Sequence, residues 1–368
     1  MYSTYERKNI YKSADEKTLK AIFDYSEGYK RFLDNGKTER ETVEYTVEML
    51  KKAGYKEYKL GDKINPHDKL YFNNRGKALF IVKAGSAEKI KEGVRILVAH
   101  VDSPRLDLKQ VPLYEKSELA FLKTHYYGGI KKYQWLTIPL ALHGVVVKAD
   151  GTKINIKIGE KDTDPVFYIT DLLPHLSQEQ VKKTIGEGFD AENMNLVVGG
   201  LSLSGEDKDA VKKNVLSILM KEYGMSEEDF LSAELEVVPA LKARDVGFDR
   251  AFVAGYGHDD RVCAFPALTA LIETADSAHT CMAVLADKEE TGSDGVTGMQ
   301  NCLLFDIIDE LAKNLDGNTN VVRMNSKCLS ADVTVCYDPN YPEVSERRNS
   351  SLLHCGVGLS KYTGSGGK

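Results

Sequence analysis

The sequence predicts an α/β protein whose main domain is interrupted by a β-rich insertion. Helix-period and buried-strand patterns alternate up to about residue 103, give way to extended, partly alternating segments, and resume from Asp259. With 368 residues, 42% of them hydrophobic, the chain is long enough for two or three domains with cores of their own. Aromatics at 9% and a net charge of only −6 exclude a disordered chain. The expected division is a main domain of residues 1–103 and 246–368 around an insertion of residues 104–245, roughly 140 residues and within ordinary domain size.

The elements follow in chain order. Thr38 and Glu41 have capping-box spacing, Val43, Val47 and Leu50 recur on one helical face, and Gly54 sits where a helix stops, so a helix is expected over about 38–53. Asn73-Asn74-Arg75-Gly76 is turn chemistry, and Ala78 to Val82 and Arg95 to His100 are short runs rich in branched residues, read as strands of a buried sheet. The apolar stretch Trp135 to Val147 contains Pro139 and His143, is too short to span a membrane, and reads as a buried strand pair. His143 to Lys148, Lys153 to Ile158 and Glu234 to Val238 read as strands of the insertion, Lys208 to Tyr223 as its helix, and Gly128-Gly129 as a turn between its strands. Beyond it, Val262, Phe265, Leu268 and Ile272 share a helical face, and Met282 to Ala286 is a buried strand.

Mild acidity gives no electrostatic reason to expect nucleic acid or anionic lipid as a partner, since both favour basic surfaces. The N-terminus lacks the apolar run of a secretory signal, and six scattered cysteines, none in a C-x-x-C pair, suit reduced thiols. A cytoplasmic protein without membrane contact is the expectation.

Four segments place acid–base or metal-ligating side chains after apolar runs or at a helix start, where sites gather in open α/β sheets. In Ile96 to Arg105, Asp102 stands two residues beyond His100 and can accept its second ring N–H, as a carboxylate behind a metal-bound imidazole does. The plainer alternative is a strand-end histidine satisfied by a neighbouring acid. Gly257-His258-Asp259-Asp260-Arg261 opens a helix, where acids are also ordinary caps. Ala286 to Ser293 presents Glu289 and Glu290, whose side chains diverge, so that one can bind a metal while the other serves as general base; surface glutamate pairs are equally common. Leu329-Ser330-Ala331-Asp332 offers a last carboxylate, or a turn-forming aspartate. Together they supply one imidazole and several carboxylates, a mixed nitrogen and oxygen set suited to zinc or a similar divalent ion.

In that order, His-Val-Asp-Ser-Pro-Arg, Gly-His-Asp-Asp-Arg, Asp-Lys-Glu-Glu-Thr-Gly-Ser and Ser-Ala-Asp resemble the aspartyl aminopeptidase family of metallopeptidases, over nearly the whole chain. The resemblance implies a di-zinc catalytic domain, a mixed sheet flanked by helices, interrupted by a β-rich dimerisation domain, and large tetrahedral homo-oligomers, dodecamers, acting on peptides. It implies two divalent ions per subunit, zinc, with Asp259 bridging, His100 and Asp332 completing one site, Glu290 binding the other, Glu289 as general base and Asp102 orienting His100. Phe167 to Leu176 resembles the segment whose histidine reaches the neighbour's active site, so His175 would stabilise the oxyanion in trans; a histidine merely buried at a dimer interface is the alternative. Lys361 falls near the lysine that pairs with an acidic substrate side chain, and can equally be a solvent-facing lysine. The family's remaining metal histidine follows the Gly-rich stretch at which this sequence stops, so the resemblance implies a truncated chain, with His258 and His354 as available substitutes.

The expected activity is removal of N-terminal, acidic residues (Asp or Glu) through a metal-bridged water. A di-metal deacylase or carboxypeptidase, or an inactive assembly component, are the rival readings; comparing free-amine with N-acetylated peptides separates the aminopeptidase from the first of these, since an aminopeptidase should reject blocked peptides.

Overall fold

The computed structural model describes residues 4–360. Helices α1 (Glu16–Asn35) and α2 (Glu39–Lys52) lead into strands β1 (Lys56–Glu57), β2 (Lys69–Asn74), β3 (Ala78–Lys83) and β4 (Arg95–His100). Strands β5 (Arg105–Lys116), β6 (Leu119–Tyr127), β7 (Leu140–Val147), β8 (Lys153–Ile158) and β9 (Leu196–Gly199) follow, then helix α3 (Ala210–Tyr223) and strand β10 (Glu234–Pro239). A hairpin of β11 (Arg244–Val246) and β12 (Phe252–Ala254) precedes α4 (His258–Glu273), β13 (Cys281–Ala286), α5 (Leu303–Asn314), α6 (Thr319–Asn325) and β14 (Lys327–Ser330).

Two six-stranded sheets organise these elements. The first runs β1-β2-β3-β13-β4-β14 and is mixed: β3 pairs antiparallel with β2 and β13, whereas β13, β4 and β14 are mutually parallel. Its residues alternate between two cores, as the period of two requires. Leu79, Ile81, Ala283 and Leu285 pack with Phe32, Val43 and Phe265 from the helices on one face. Phe80, Val82, Met282 and Val284 pack with Ile307, Leu311 and Val322 on the other. Because both faces are covered, the strands read as continuous apolar runs rather than as alternating ones.

The second sheet, β8-β7-β10-β5-β6-β9, is antiparallel and is built from strands between Arg105 and Pro239. Its core gathers Leu106, Leu140, Val237 and Trp135 against Val211 of α3. Lys37, Glu39, Arg105, Glu160 and Glu236, all nearly inaccessible, form ion pairs that join α2 and its approach to this sheet. Among the described residues no helix is long and apolar enough to cross a membrane.

The sequence expectations meet this architecture closely, with three differences. Thr38 caps α2 by accepting the Glu41 N–H at 3.2 Å, but the Glu41 carboxylate turns back to the N–H of Lys37, not of Thr38. Trp135 to Val147 is one strand, not a pair: Lys132–Trp135 is a 3-10 turn and the ladder begins at Leu140, since Pro139 has no N–H to donate. On α4 the buried face is Ala264, Phe265, Ala267, Leu268 and Leu271, with Ile272 half-buried at its margin and Val262 exposed, because Asp259 and Asp260 leave helical φ/ψ and the regular helix starts after them.

Candidate metal centre

The parallel trio β13, β4 and β14 fixes the place of the chemistry. Register pairs Ala286 with His100 and Ser330 with Val98, so the three carboxyl ends emerge on one edge of the sheet. His100 is the last residue of β4, the Glu289–Thr291 turn follows β13, and Asp332 follows β14. The first turn of α4 brings Asp259 and Asp260 over the same edge. Side chains up to 232 positions apart in sequence thus share one location for a topological reason.

His100 is the centre. Its Nε2 lies 3.1 Å from Asp259 Oδ1 and 3.8 Å from both Glu289 Oε2 and Asp332 Oδ1. Glu289 and Glu290 place ligand atoms close to the His100 ring and to each other, and so do Asp260 and Asp332. On the far side of the ring, Nδ1 faces the Asp102 carbonyl at 3.0 Å and its carboxylate at 3.3 Å. Asp102 has no exposed surface, and it also accepts the backbone N–H groups of Glu289 and Glu290, each at 3.2 Å. Asp102 therefore sets the imidazole orientation through its carbonyl and carboxylate together, and the position of the Glu-Glu turn through its carboxylate.

The last residue of the helix-opening motif is structural. Arg261 is fully buried; it donates to Ser103 Oγ at 2.9 Å, to Thr42 Oγ1 at 3.2 Å, and to the carbonyls of Lys37 and Val101 at 3.0 Å. Ser103 in turn donates to the Asp259 carbonyl at 2.5 Å, so the guanidinium anchors the loop that carries Asp259.

So many carboxylates around one imidazole perturb one another. Burial, then the Asp259 charge, lifts the Glu290 carboxyl to about 7. Burial lifts Asp260 to about 6 and raises Glu289. Burial opposes charge on His100, but its hydrogen bonds to Asp102 and Asp259 outweigh that and raise it to about 11. The pocket accordingly favours a positive charge beside Nε2. Asp260 adds a direct sign of an unmet demand: its Oδ1 is buried without a hydrogen-bond partner. An imidazole nitrogen and several carboxylate oxygens converging in this way are the donor set of a zinc-type divalent ion, and the residues fit it.

Comparison with known proteins agrees. The family described as "Aminopeptidase I zinc metalloprotease (M18)" matches residues 32–367. The chain belongs to the M18 family. It is a zinc metallo-aminopeptidase, a hydrolase of peptide bonds, with a peptidase-like α/β fold. A relative from Clostridium acetobutylicum, described as a probable M18 family aminopeptidase 1, is 48% identical, the match covering 99% of this chain and 80% of the relative. The crystal structure of an M18-family aminopeptidase from Thermotoga maritima superposes with a TM-score of 0.93 at 43% identity, covering 99% of this chain and 80% of that one. The yeast mApe1 dodecamer, at 22% identity, shares the fold with a TM-score of 0.72, covering 90% of this chain and 76% of that one.

Against this geometry the sequence-derived M18 residues sort cleanly. His100, Asp102, Asp259, Glu289, Glu290 and Asp332 come together. His175 does not join them within the chain: it is exposed, in an irregular segment among exposed Leu172, Leu173 and Leu176. Lys361 lies outside the described residues. His258 and His354 are engaged elsewhere, His258 with the Tyr29 hydroxyl at 2.8 Å and His354 against the rings of Tyr11 and Phe252. Two participants were not singled out from sequence. Asp260 was hidden beside Asp259, and Tyr127, which donates to Asp102 at 2.7 Å, carried no motif.

Proposed function

We propose that this M18 aminopeptidase holds two divalent ions, zinc, and removes N-terminal acidic residues from peptides. The observation that carries the reading is the convergence of Asp259, Glu289 and Asp332 within 3.8 Å of His100 Nε2. Asp259 would be shared between the ions, His100 and Asp332 would complete one, and Glu290 would hold the other, as the motif resemblance implies. Two such ions, when bound, supply Lewis acidity to water and to the scissile carbonyl. The chain's own residues do the rest. Glu289, half-exposed beside the ring, accepts the proton of the attacking water and returns it to the leaving amine. Asp102 keeps the ring of His100 in place through Nδ1.

The acidic preference is supported by the resemblance of the motifs to the aspartyl aminopeptidases, in which Lys361 would face the substrate carboxylate. Self-association through the inserted segment 104–245, with that segment as a dimerisation domain, is supported by the exposed Leu172, Leu173, Leu176, Val181 and Ile185 in one stretch, since such apolar runs mark interaction surfaces. His175 within it would then reach a neighbour's site and stabilise the oxyanion in trans. The yeast relative described as a dodecamer supports an assembly of that size. A cytoplasmic location fits six unpaired cysteines.

Hydrolysis of peptides that begin with Asp, Glu or Leu, each free or N-acetylated, tests the reading. Cleavage confined to free amines and fastest after Asp or Glu is expected. Turnover of the acetylated peptides would point to a deacylase or carboxypeptidase instead, and equal rates for Leu would remove the acidic preference.

A further inference from the structure

The second sheet meets the metal centre at the carboxyl end of β6. There the Tyr127 hydroxyl donates to Asp102 Oδ2 at 2.7 Å. Oδ2 also accepts the Glu290 N–H, while Oδ1 faces His100 Nδ1 and accepts the Glu289 N–H. Three hydrogen bonds therefore hold the carboxylate, Oδ1 lies 3.3 Å from His100 Nδ1, whose nearer acceptor is the Asp102 carbonyl at 3.0 Å, and Tyr127 is the donor that the second sheet contributes. A fully buried carboxylate that loses one of three donors can turn toward the remaining two and change its approach to the His100 ring.

The tyrosine is itself held. The Arg105 guanidinium lies 4.0 Å from its ring centroid, and Arg105 is clamped by Asp107 at 2.8 Å and by Glu39 and Glu236 at 3.1 Å. The next residue, Gly128, has φ +69°, and a Cβ there would stand 3.1 Å from both Cβ and Oε2 of Glu290. The end of β6 therefore lies directly against the Glu290 side chain, and the tight approach together with the positive φ favours a residue without a side chain.

We infer that Tyr127 is a positioning residue for the metal centre: acting through Asp102, its hydroxyl fixes the ring of His100 and the turn that carries Glu289 and Glu290. The second sheet is then part of the site and not only a surface for assembly. The inference rests on the reading that these residues hold divalent ions, and its test separates the two.

Zinc affinity of the full chain is measured by chelator competition for the wild type, Tyr127→Phe, Asp102→Asn, the double variant and His100→Ala. Phenylalanine keeps the ring beneath Arg105 and loses only the hydroxyl, and circular dichroism checks that the fold is retained. Residues behind metal-ligating histidines typically contribute about 10- to 100-fold in affinity; Tyr127→Phe is expected to weaken zinc binding about tenfold and to lower kcat with little change in KM. The double variant should bind no more weakly than Asp102→Asn alone, since both changes act through one carboxylate. Unchanged affinity in Tyr127→Phe, or losses that multiply in the double variant, would overturn the inference. A wild type that binds no zinc, or His100→Ala binding as tightly as the wild type, would overturn the metal reading and this inference with it.

Discussion

Replacing Glu289 with glutamine keeps the length and volume of the side chain and removes its capacity to take a proton. Glu289 Oε2 stands 3.8 Å from His100 Nε2, and burial with the facing carboxylates raises its pKa, as suits a base that must also hand a proton on. Positioned bases contribute roughly 100- to 10,000-fold to rate. At about 1.36 kcal/mol per tenfold, that is roughly 2.7 to 5.4 kcal/mol of barrier. Glu289→Gln should therefore lower kcat at least about 100-fold while zinc affinity holds nearly constant. Glu290→Gln is the partner experiment, because Glu290 is the assigned ligand and its carboxyl is the one lifted to about 7. It should lose zinc affinity first and activity as a consequence. Steady-state kinetics at saturating zinc, paired with chelator competition, read the two effects separately. A Glu289→Gln enzyme that keeps most of its activity, or that loses zinc as severely as Glu290→Gln, would refute the division of labour.

Three further outcomes follow from the same geometry. Phe32→Ala should cost about 3 to 5 kcal/mol in urea unfolding, since Phe32 has no exposed surface and its ring centroid lies 5.2 Å from that of the tilted Phe265 ring; a loss under about 1 kcal/mol would mean the helices repack freely. His143 is buried between Glu41 at 3.0 Å and Glu160 at 3.1 Å, and although burial opposes its charge, the two carboxylates raise its pKa. Its stabilising effect is thus complete below its unfolded pKa of about 6.5 and fades as pH rises through the higher folded value, so the stability gap to His143→Gln should shrink above that pH; a gap that widens would contradict the pairing. Leu173→Asp with Leu176→Asp should lower the assembled mass in light scattering if that exposed apolar run is an interface, and an unchanged mass would move the interface elsewhere.

Local pattern carried most of the first sheet. Ala78 to Val82 and Arg95 to His100 announce β3 and β4 because strands buried on both faces are written as unbroken branched-apolar runs. The order of strands in the second sheet was not legible, because β10 slots between β5 and β7, a pairing of residues more than 80 positions apart that leaves no local mark. In the site, ligand-type residues at strand ends were legible through their motifs. Tyr127 was not, because its hydroxyl meets Asp102, 25 positions away, with no motif to link the two; the adjacent Gly128-Gly129, read as a turn, does follow the end of β6, and Gly128 also marks the close approach to Glu290. Arg261 reads in sequence as one more charge in a charged motif, and only its complete burial reveals an anchor for the Asp259 loop. The resemblance names Asp259, and only the coordinates show how its neighbour differs: Asp259 is half-exposed against the His100 ring, Asp260 inaccessible with an unpartnered oxygen.

The most direct test of the metal centre is anomalous scattering at the zinc edge from crystals of the chain grown with zinc. The account requires two peaks per subunit at the carboxyl ends of β4, β13 and β14, roughly 2.0 to 2.2 Å from His100 Nε2 and from carboxylate oxygens of Asp259, Glu290 and Asp332. Peaks only at other surfaces, or those side chains free of any ion in a zinc-loaded crystal, would contradict it.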